Sequence, residues 1–312
     1  TKIDTKHVSS NKEAHLDYSD CTVSRPFTDY HLHLFHTSQR DRSLHLLWSH
    51  GVGTCYEGGQ REGFHKPILV KKKKRIGVVR AGKAIYKKGG YGKLLGIGVE
   101  SEKDIRLQLK TLCSSGIEYL KVINSGVYDP RNNRITKGGF TPKELRLIVS
   151  LARQRGLRVF AHANGKDNIM NAVHAGVDAI VHGFGTDIEV LEEMVKKRVS
   201  LIPTLHALQA LDGVYKSEQE RKNLQKFYER HFETVSLAIK NGVKILPGSD
   251  SGPGFLPHGS SFIKELKCLE EAGMKKEEIL FAATGSPPQI GEPADLIFLN
   301  GLEVVHRVTF KP

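Results

Sequence analysis

Sulfur is scarce in this sequence and falls into no pattern: Cys21, Cys55, Cys113 and Cys268 are widely separated, with no Cys-x-x-Cys pair. That argues against both a disulfide framework and a thiolate zinc site, and a reducing compartment is the simplest inference. Long apolar runs are lacking too. No stretch approaches the roughly 18 residues that span a bilayer, and the polar start, Thr1-Lys2-Ile3-Asp4-Thr5-Lys6, is no secretory signal. A cytoplasmic protein with no membrane partner is the expectation. No Gly-x-Gly-x-x-Gly follows an early apolar run, so nothing favours a dinucleotide fold. Acidic residues are in deficit, 34 against 47 Lys and Arg, for a formal charge of +13. The excess does not read as a nucleic-acid footprint. Lys196-Lys197-Arg198 and Lys275-Lys276 sit among glutamates on helical faces, and the run from Lys71 to Arg75 has no interleaved aromatics.

What is present is an alternation. At 312 residues the chain accommodates an α/β barrel of roughly 250 residues plus a small appendage. Residues 1–24 are polar and irregular; from 28 onward short apolar runs at 28–35, 51–57, 75–80, 119–123, 158–164, 179–183, 200–205 and 244–250 read as strands. Helical stretches at 101–115, 141–155, 187–197, 217–241 and 260–273 separate the later ones, punctuated by Gly116, Gly156, Gly176, Gly242 and Gly273. Eight such strands predict a closed (β/α)8 barrel of the TIM type, with an open doubly wound sheet as the alternative. Pro203 and Pro247 count against the full length of their strands, and 58–100 reads as a long loop region around the third strand. After 285 a terminal hairpin is expected, turning at Asn300-Gly301. The predicted division is therefore 1–24 and 291–312 as the two parts of a small β-unit, and 25–290 as the barrel.

Polar residues recur at the strand ends. On an extended strand His31 and His33 share a face, and two imidazoles on one face can share a metal ion. Lys121, His162, His182 and Asp250 fall at or near the ends of later strands, where barrels gather catalytic groups. Singly, each histidine reads equally well as a hydrogen-bonded core residue, and Asp250 as a cap. Lys121 is different, because Tyr-Leu-Lys-Val-Ile places an ammonium inside an apolar strand, where an unpaired charge costs several kcal/mol or is shed by deprotonation. An ion pair with Asp250 would compensate it. So would reaction of the neutral amine with carbon dioxide, giving an anionic carbamate able to bridge two cations. Four imidazoles, a carbamate and a carboxylate would suit two Zn2+ or similar ions.

The run Phe-Thr-Asp-Tyr-His-Leu-His-Leu resembles the first-strand motif of the amidohydrolase superfamily. Leu-Lys-Val, Ala-His-Ala-Asn-Gly, Val-His-Gly and Gly-Ser-Asp-Ser-Gly follow in that family's order. The stretch from His258 to Leu266, then Ala282-Ala283-Thr284 and Pro293-Ala294-Asp295-Leu296, is similar to the imidazolonepropionase-related, Xaa-Pro dipeptidase-like branch. Arg25-Pro26 stands where the family usually has Pro-Gly, and the link from Thr284 to Ala294 is short for the family.

The resemblance implies His31 and His33 as ligands of a more buried metal, His162 and His182 as ligands of a second, and carboxylated Lys121 as their bridge. Asp250 would bind metal and take a proton from a hydroxide bridging two divalent ions. It implies hydrolysis of a C–N amide bond in a dipeptide or N-acyl amino acid, a small-molecule substrate, and a form compatible with a homo-oligomer. His206, just past the seventh strand, is a candidate for polarising the carbonyl; Tyr128 and Arg131, after the fourth, are candidates for meeting a substrate carboxylate. The rival readings are a metallohydrolase of a lactone, ester, cyclic ureide or phosphotriester, and a catalytically silent barrel scaffold.

Overall fold

Capping chemistry fixes several helices before packing acts on them. The structure, a computed structural model, describes residues 18–34, 40–60, 76–289 and 295–309. The polar segment 1–17, Phe35 at the end of the expected first strand, the run 71–75 and Pro293-Ala294 lie outside the described residues. The first elements are β1 (Thr22–Ser24), β2 (Phe27–Leu32), α1 (Arg40–Ser49), β3 (Val52–Glu57), β4 (Gly77–Arg80), β5 (Ala84–Lys87) and β6 (Gly96–Val99). In α2 (Glu102–Ser114) the Ser101 hydroxyl accepts from Asp104 N while the Asp104 carboxylate accepts from Ser101 N. Such a reciprocal cap contributes about 1 kcal/mol.

The chain continues through β7 (Leu120–Ile123), the short hairpin β8 (Tyr128–Asp129) and β9 (Arg134–Ile135), and α3 (Pro142–Arg153). α3 repeats the cap with Thr141 and Glu144 and adds Pro142 at its first turn. Next come β10 (Val159–Ala163), α4 (Lys166–Ala175), β11 (Ala179–His182), α5 (Ile188–Lys197), β12 (Ser200–Ile202), α6 (Leu205–Ala210) and α7 (Glu218–Lys240). The last are α8 (Ser260–Glu271), α9 (Lys276–Thr284), β13 (Asp295–Asn300) and β14 (Glu303–Thr309).

The parallel strands close on themselves. β2 pairs with β3 and β3 with β4, and β5 continues the third strand after a bend at Ala81-Gly82-Lys83 to pair with β7. β7, β10, β11 and β12 follow in register. The eighth place is taken by 244–251, which bridges Leu201 to Ile245 on one side and Leu32 to Ser251 on the other. Backbone bonds Leu201 N to Lys244 O (2.9 Å), Tyr30 N to Pro247 O (2.9 Å) and Asp250 N to His31 O (2.7 Å) complete the TIM-type closure.

Two expectations are corrected. Beyond the expected third strand, which forms as β4, the region 58–100 is not a loop in its described part, since it also supplies β5 and β6, four-residue strands beside glycines, too short for alternation to show. The seventh strand stops at Ile202, short of the expected 205, where Pro203 brings no donor and Thr204 turns to φ 51°, and the eighth, at 244–250, is held by isolated bridges and not by a continuous ladder. The terminal hairpin pairs β13 with β14, and β1 adds to β13 antiparallel, making a three-stranded sheet.

The main core lies between the helices and the strands, with Leu44, Leu47, Ile105, Leu109, Ile148 and Phe262 among its members. A second cluster, Tyr56, Tyr119, Phe160, Val181, Ile202 and Leu246, lies apart from it, below the strand ends that carry the histidines.

Candidate metal centre

The ends of β2, β7, β10, β11 and the eighth strand bring the chemistry together. His31 and His33 are both buried, their rings 4.9 Å apart and edge-on. Asp250 Oδ1 lies 3.3 Å from His31 Nε2 and 3.4 Å from His33 Nε2. Ligands around a tetrahedral ion with bonds of about 2.1 Å are separated by about 3.4 Å, the spacing at which each of these two histidines meets Asp250 Oδ1. The His182 ring lies 5.6 Å from that of His31 and 4.7 Å from that of His162. One ligating atom from each of His31, His182 and Asp250 falls within 4.8 Å of the others.

Neighbouring atoms orient the second pair. His162 Nε2 is 3.0 Å from Gly126 O, an acceptor, which leaves Nδ1 free to ligate. His182 Nδ1 is 2.8 Å from Thr204 Oγ1, which leaves Nε2. His182, Thr204 and Asp250 all have left-handed backbones, with φ of 69°, 51° and 52°. Such conformations cost non-glycine residues roughly 1 kcal/mol or more each and cluster where side chains must be aimed. Gly58 belongs to the same construction: a Cβ there would lie 2.6 Å from His31 Cε1 and 2.7 Å from His33 Cε1.

Burial sets the charge states. It lowers His31 to about 3, with Lys121 acting in the same direction, and lowers His162 to about 4. His182 is also held well below its ordinary value, first by burial and then by His162. All three are neutral and able to ligate at physiological pH. Burial pushes the Asp250 carboxyl up, but hydrogen bonds from His31 and His33 outweigh it and hold the group well below the usual range. Lys121 is lowered to about 7 by burial, against the pull of Asp250 and Glu57. Its Nζ is 3.5 Å from His31 Nδ1 and has no carboxylate within 4.0 Å among the described residues, so the ion pair with Asp250 does not form.

The remaining sequence candidates part company. Tyr128 lines the cavity above the histidines, but its hydroxyl is held by Asn133 Oδ1 at 2.8 Å and Asn223 O at 3.1 Å. Arg131 is exposed, its Nε 3.2 Å from Glu220 Oε1, and does not line the cavity. His206 is buried at the start of α6; its N–H donates to Glu265 Oε2 at 2.7 Å, and it too is absent from the lining.

Four contributors escaped sequence reading. Asp29, fully buried, accepts from His31 N, Ser249 N and Ser249 Oγ, tying the first strand to the eighth beneath the ligands. Burial raises it to about 7. Its place two residues before His31 was the available signal. Glu57, at the end of β3, is fully buried and raised to about 8 by burial. Thr204 follows a proline, and Tyr91, whose ring lies 5.4 Å from that of His162, sits in a glycine-rich loop with no sequence signal.

Residues 26–290 match the amidohydrolase family across most of the chain. The chain belongs to that family. Among amidohydrolase relatives, ochratoxinase of Aspergillus niger is 31% identical over 204 residues, covering 64% of this chain and 41% of ochratoxinase. An uncharacterized protein of Mycobacterium tuberculosis is 24% identical over 210 residues, 66% of this chain and 56% of its own length. The chain thus spans about half the length of the curated relatives it matches. A Xaa-Pro dipeptidase solved with methionine in its active site shares the fold, with a TM-score of 0.79 at 21% identity over 99% of this chain and 91% of the dipeptidase. The crystal structure of A. niger ochratoxinase does so with a TM-score of 0.76 at 22% identity over 92% and 82%. No helix among the described residues is long and apolar enough to cross a membrane.

Proposed function

We propose that this amidohydrolase is a metal-dependent hydrolase of a C–N amide bond in a small molecule. The observation that carries the reading is the shared approach of His31 Nε2 and His33 Nε2 to Asp250 Oδ1, with neutral imidazoles and a buried lysine beside them. His31, His33 and Asp250 would hold one divalent ion, and His162 and His182 a second, most simply both zinc. Lys121, whose lowered basicity leaves unprotonated amine at neutral pH, could add carbon dioxide at Nζ with loss of a proton, and the resulting carbamate would offer the ions anionic oxygen. When bound, the ions supply Lewis acidity toward the scissile carbonyl and the attacking water.

The chain's own groups do the rest. Asp250 is the carboxylate at the cavity floor, with its side chain 24% exposed, so it can accept a proton at Oδ from the attacking water and return it to the leaving amine nitrogen. Asp29 and Ser249 hold its backbone at the required turn, and the aromatic cluster around Tyr56 closes the barrel below. Resemblance to the dipeptidase-like branch favours a dipeptide or N-acyl amino acid. The test is Asp250→Asn: turnover of an amide substrate should fall by roughly a thousandfold or more, within the range of general acid–base contributions, while most of the metal stays bound. Near-native turnover in that variant would refute the assignment.

A further inference from the structure

The cavity that opens over the histidines has a volume of about 150 Å³, which includes the space between the candidate ligands at its floor. Its walls are mainly carbon: Phe184, Ala207, Leu208, Leu211, Phe255 and Leu256 face it above the histidines. Thr204 at φ 51° starts α6 directly after the seventh strand, and the Glu265 carboxylate holds the start of that helix, so Ala207 and Leu208 come to face the cavity.

The two groups nearest in sequence that could meet a carboxylate are committed elsewhere. Tyr128 offers ring carbon, because its ring stacks on Phe227 at 3.6 Å and its hydroxyl faces two acceptors, Asn133 Oδ1 and Asn223 O. The Arg131 guanidinium pairs with Glu220 at the surface. Among the described lining residues there is no arginine and one lysine, Lys121, which lies at the floor beside His31 and not in the walls. A carboxylate seated against these walls would give up its hydration with little in return.

We propose that this cavity takes an amide whose substituent is an uncharged aromatic or branched aliphatic group, without a carboxylate, seated between Phe184 and the α6 wall. The inference rests on the amide-hydrolase reading and departs from the dipeptide class that the resemblance implies. Phe255, 40% exposed at the rim, is where a cation can be introduced with little disturbance of the core.

The test compares N-benzoyl-phenethylamine with N-benzoyl-L-phenylalanine, which differ by the carboxylate alone. Binding is measured by calorimetry on metal-loaded Asp250→Asn protein, so that turnover does not intervene. The neutral amide should bind at least tenfold more tightly, and Phe255→Arg in the same background should shrink or reverse that ratio. Equal or tighter binding of the carboxylate compound, binding of neither, or a ratio unmoved by Phe255→Arg would each overturn the proposal. Turnover of the neutral amide by the native protein is read separately. Selective binding without turnover would refute the hydrolase reading while leaving the assignment of the cavity intact.

Discussion

Gly58→Ala probes the geometry of the centre without touching a ligand. The new Cβ would stand 2.6 Å from His31 Cε1 and 2.7 Å from His33 Cε1, whereas carbon atoms rest at about 3.5–4.0 Å. Each ring must therefore retreat by about 1 Å, or the backbone must move. The backbone is restrained, since Gly58 N donates to Leu32 O at 2.8 Å on the strand that carries both histidines. Overpacking of this kind costs about 1–3 kcal/mol in the metal-free protein. Moving two ligands should weaken metal binding by roughly tenfold to a hundredfold, the range found when groups that merely orient ligands are lost. Affinity is measured by competition with a chromogenic chelator, and stability by denaturant unfolding of the metal-free form. Gly213→Ala, where a Cβ meets nothing within 4 Å, is the control. Native metal affinity in Gly58→Ala would refute the placement of the ion between His31 and His33.

Lys121→Ala should lose metal and activity together, and a short carboxylic acid in the buffer should restore part of both by supplying the missing anionic oxygens; full metal content in the unrescued variant would count against the bridging role. His231 gives a pH signature away from the centre. Burial lowers it from 6.5 to about 4, while its Nε2 bonds Pro203 O at 3.0 Å. The unfolded chain therefore binds a proton before the folded one does. The stabilisation is present above pH 6.5 and lost as pH falls toward 4, a change of about 3 kcal/mol. Unfolding measured across that window should show the loss, and His231→Gln should remove its share, leaving the part that the buried His31 and His162 contribute in the same direction; an unchanged slope in the variant would contradict the assignment.

The sequence made the strands that carry chemistry legible because a histidine or lysine at the end of an apolar run is conspicuous on either reading. The helices with Ser101, Thr141 and Asp187 at their starts were legible because capping is local. β5 and β6 were not, since Ala84–Lys87 and Gly96–Val99 are held by neighbours distant in sequence rather than by pattern. The eighth strand is visible by composition, yet Pro247 and the turn at Asp250 leave it only bridges. Loop side chains were the least legible. Tyr128 and Arg131 lie three residues apart, one in β8 and one in the turn after it, and only their partners Asn133, Asn223 and Glu220 decide that neither offers its polar group to the cavity. Buried acids were overlooked for the converse reason, because Asp29 and Glu57 lie inside strands, where charge is not expected.

The most direct test of the account is the metal content of the native protein, purified without chelators and measured by elemental analysis per chain. About two equivalents of a divalent ion such as zinc are expected, with intact mass measured gently enough to show carbon dioxide retained on Lys121. A protein that carries no metal, and takes up none when zinc is added, would contradict it.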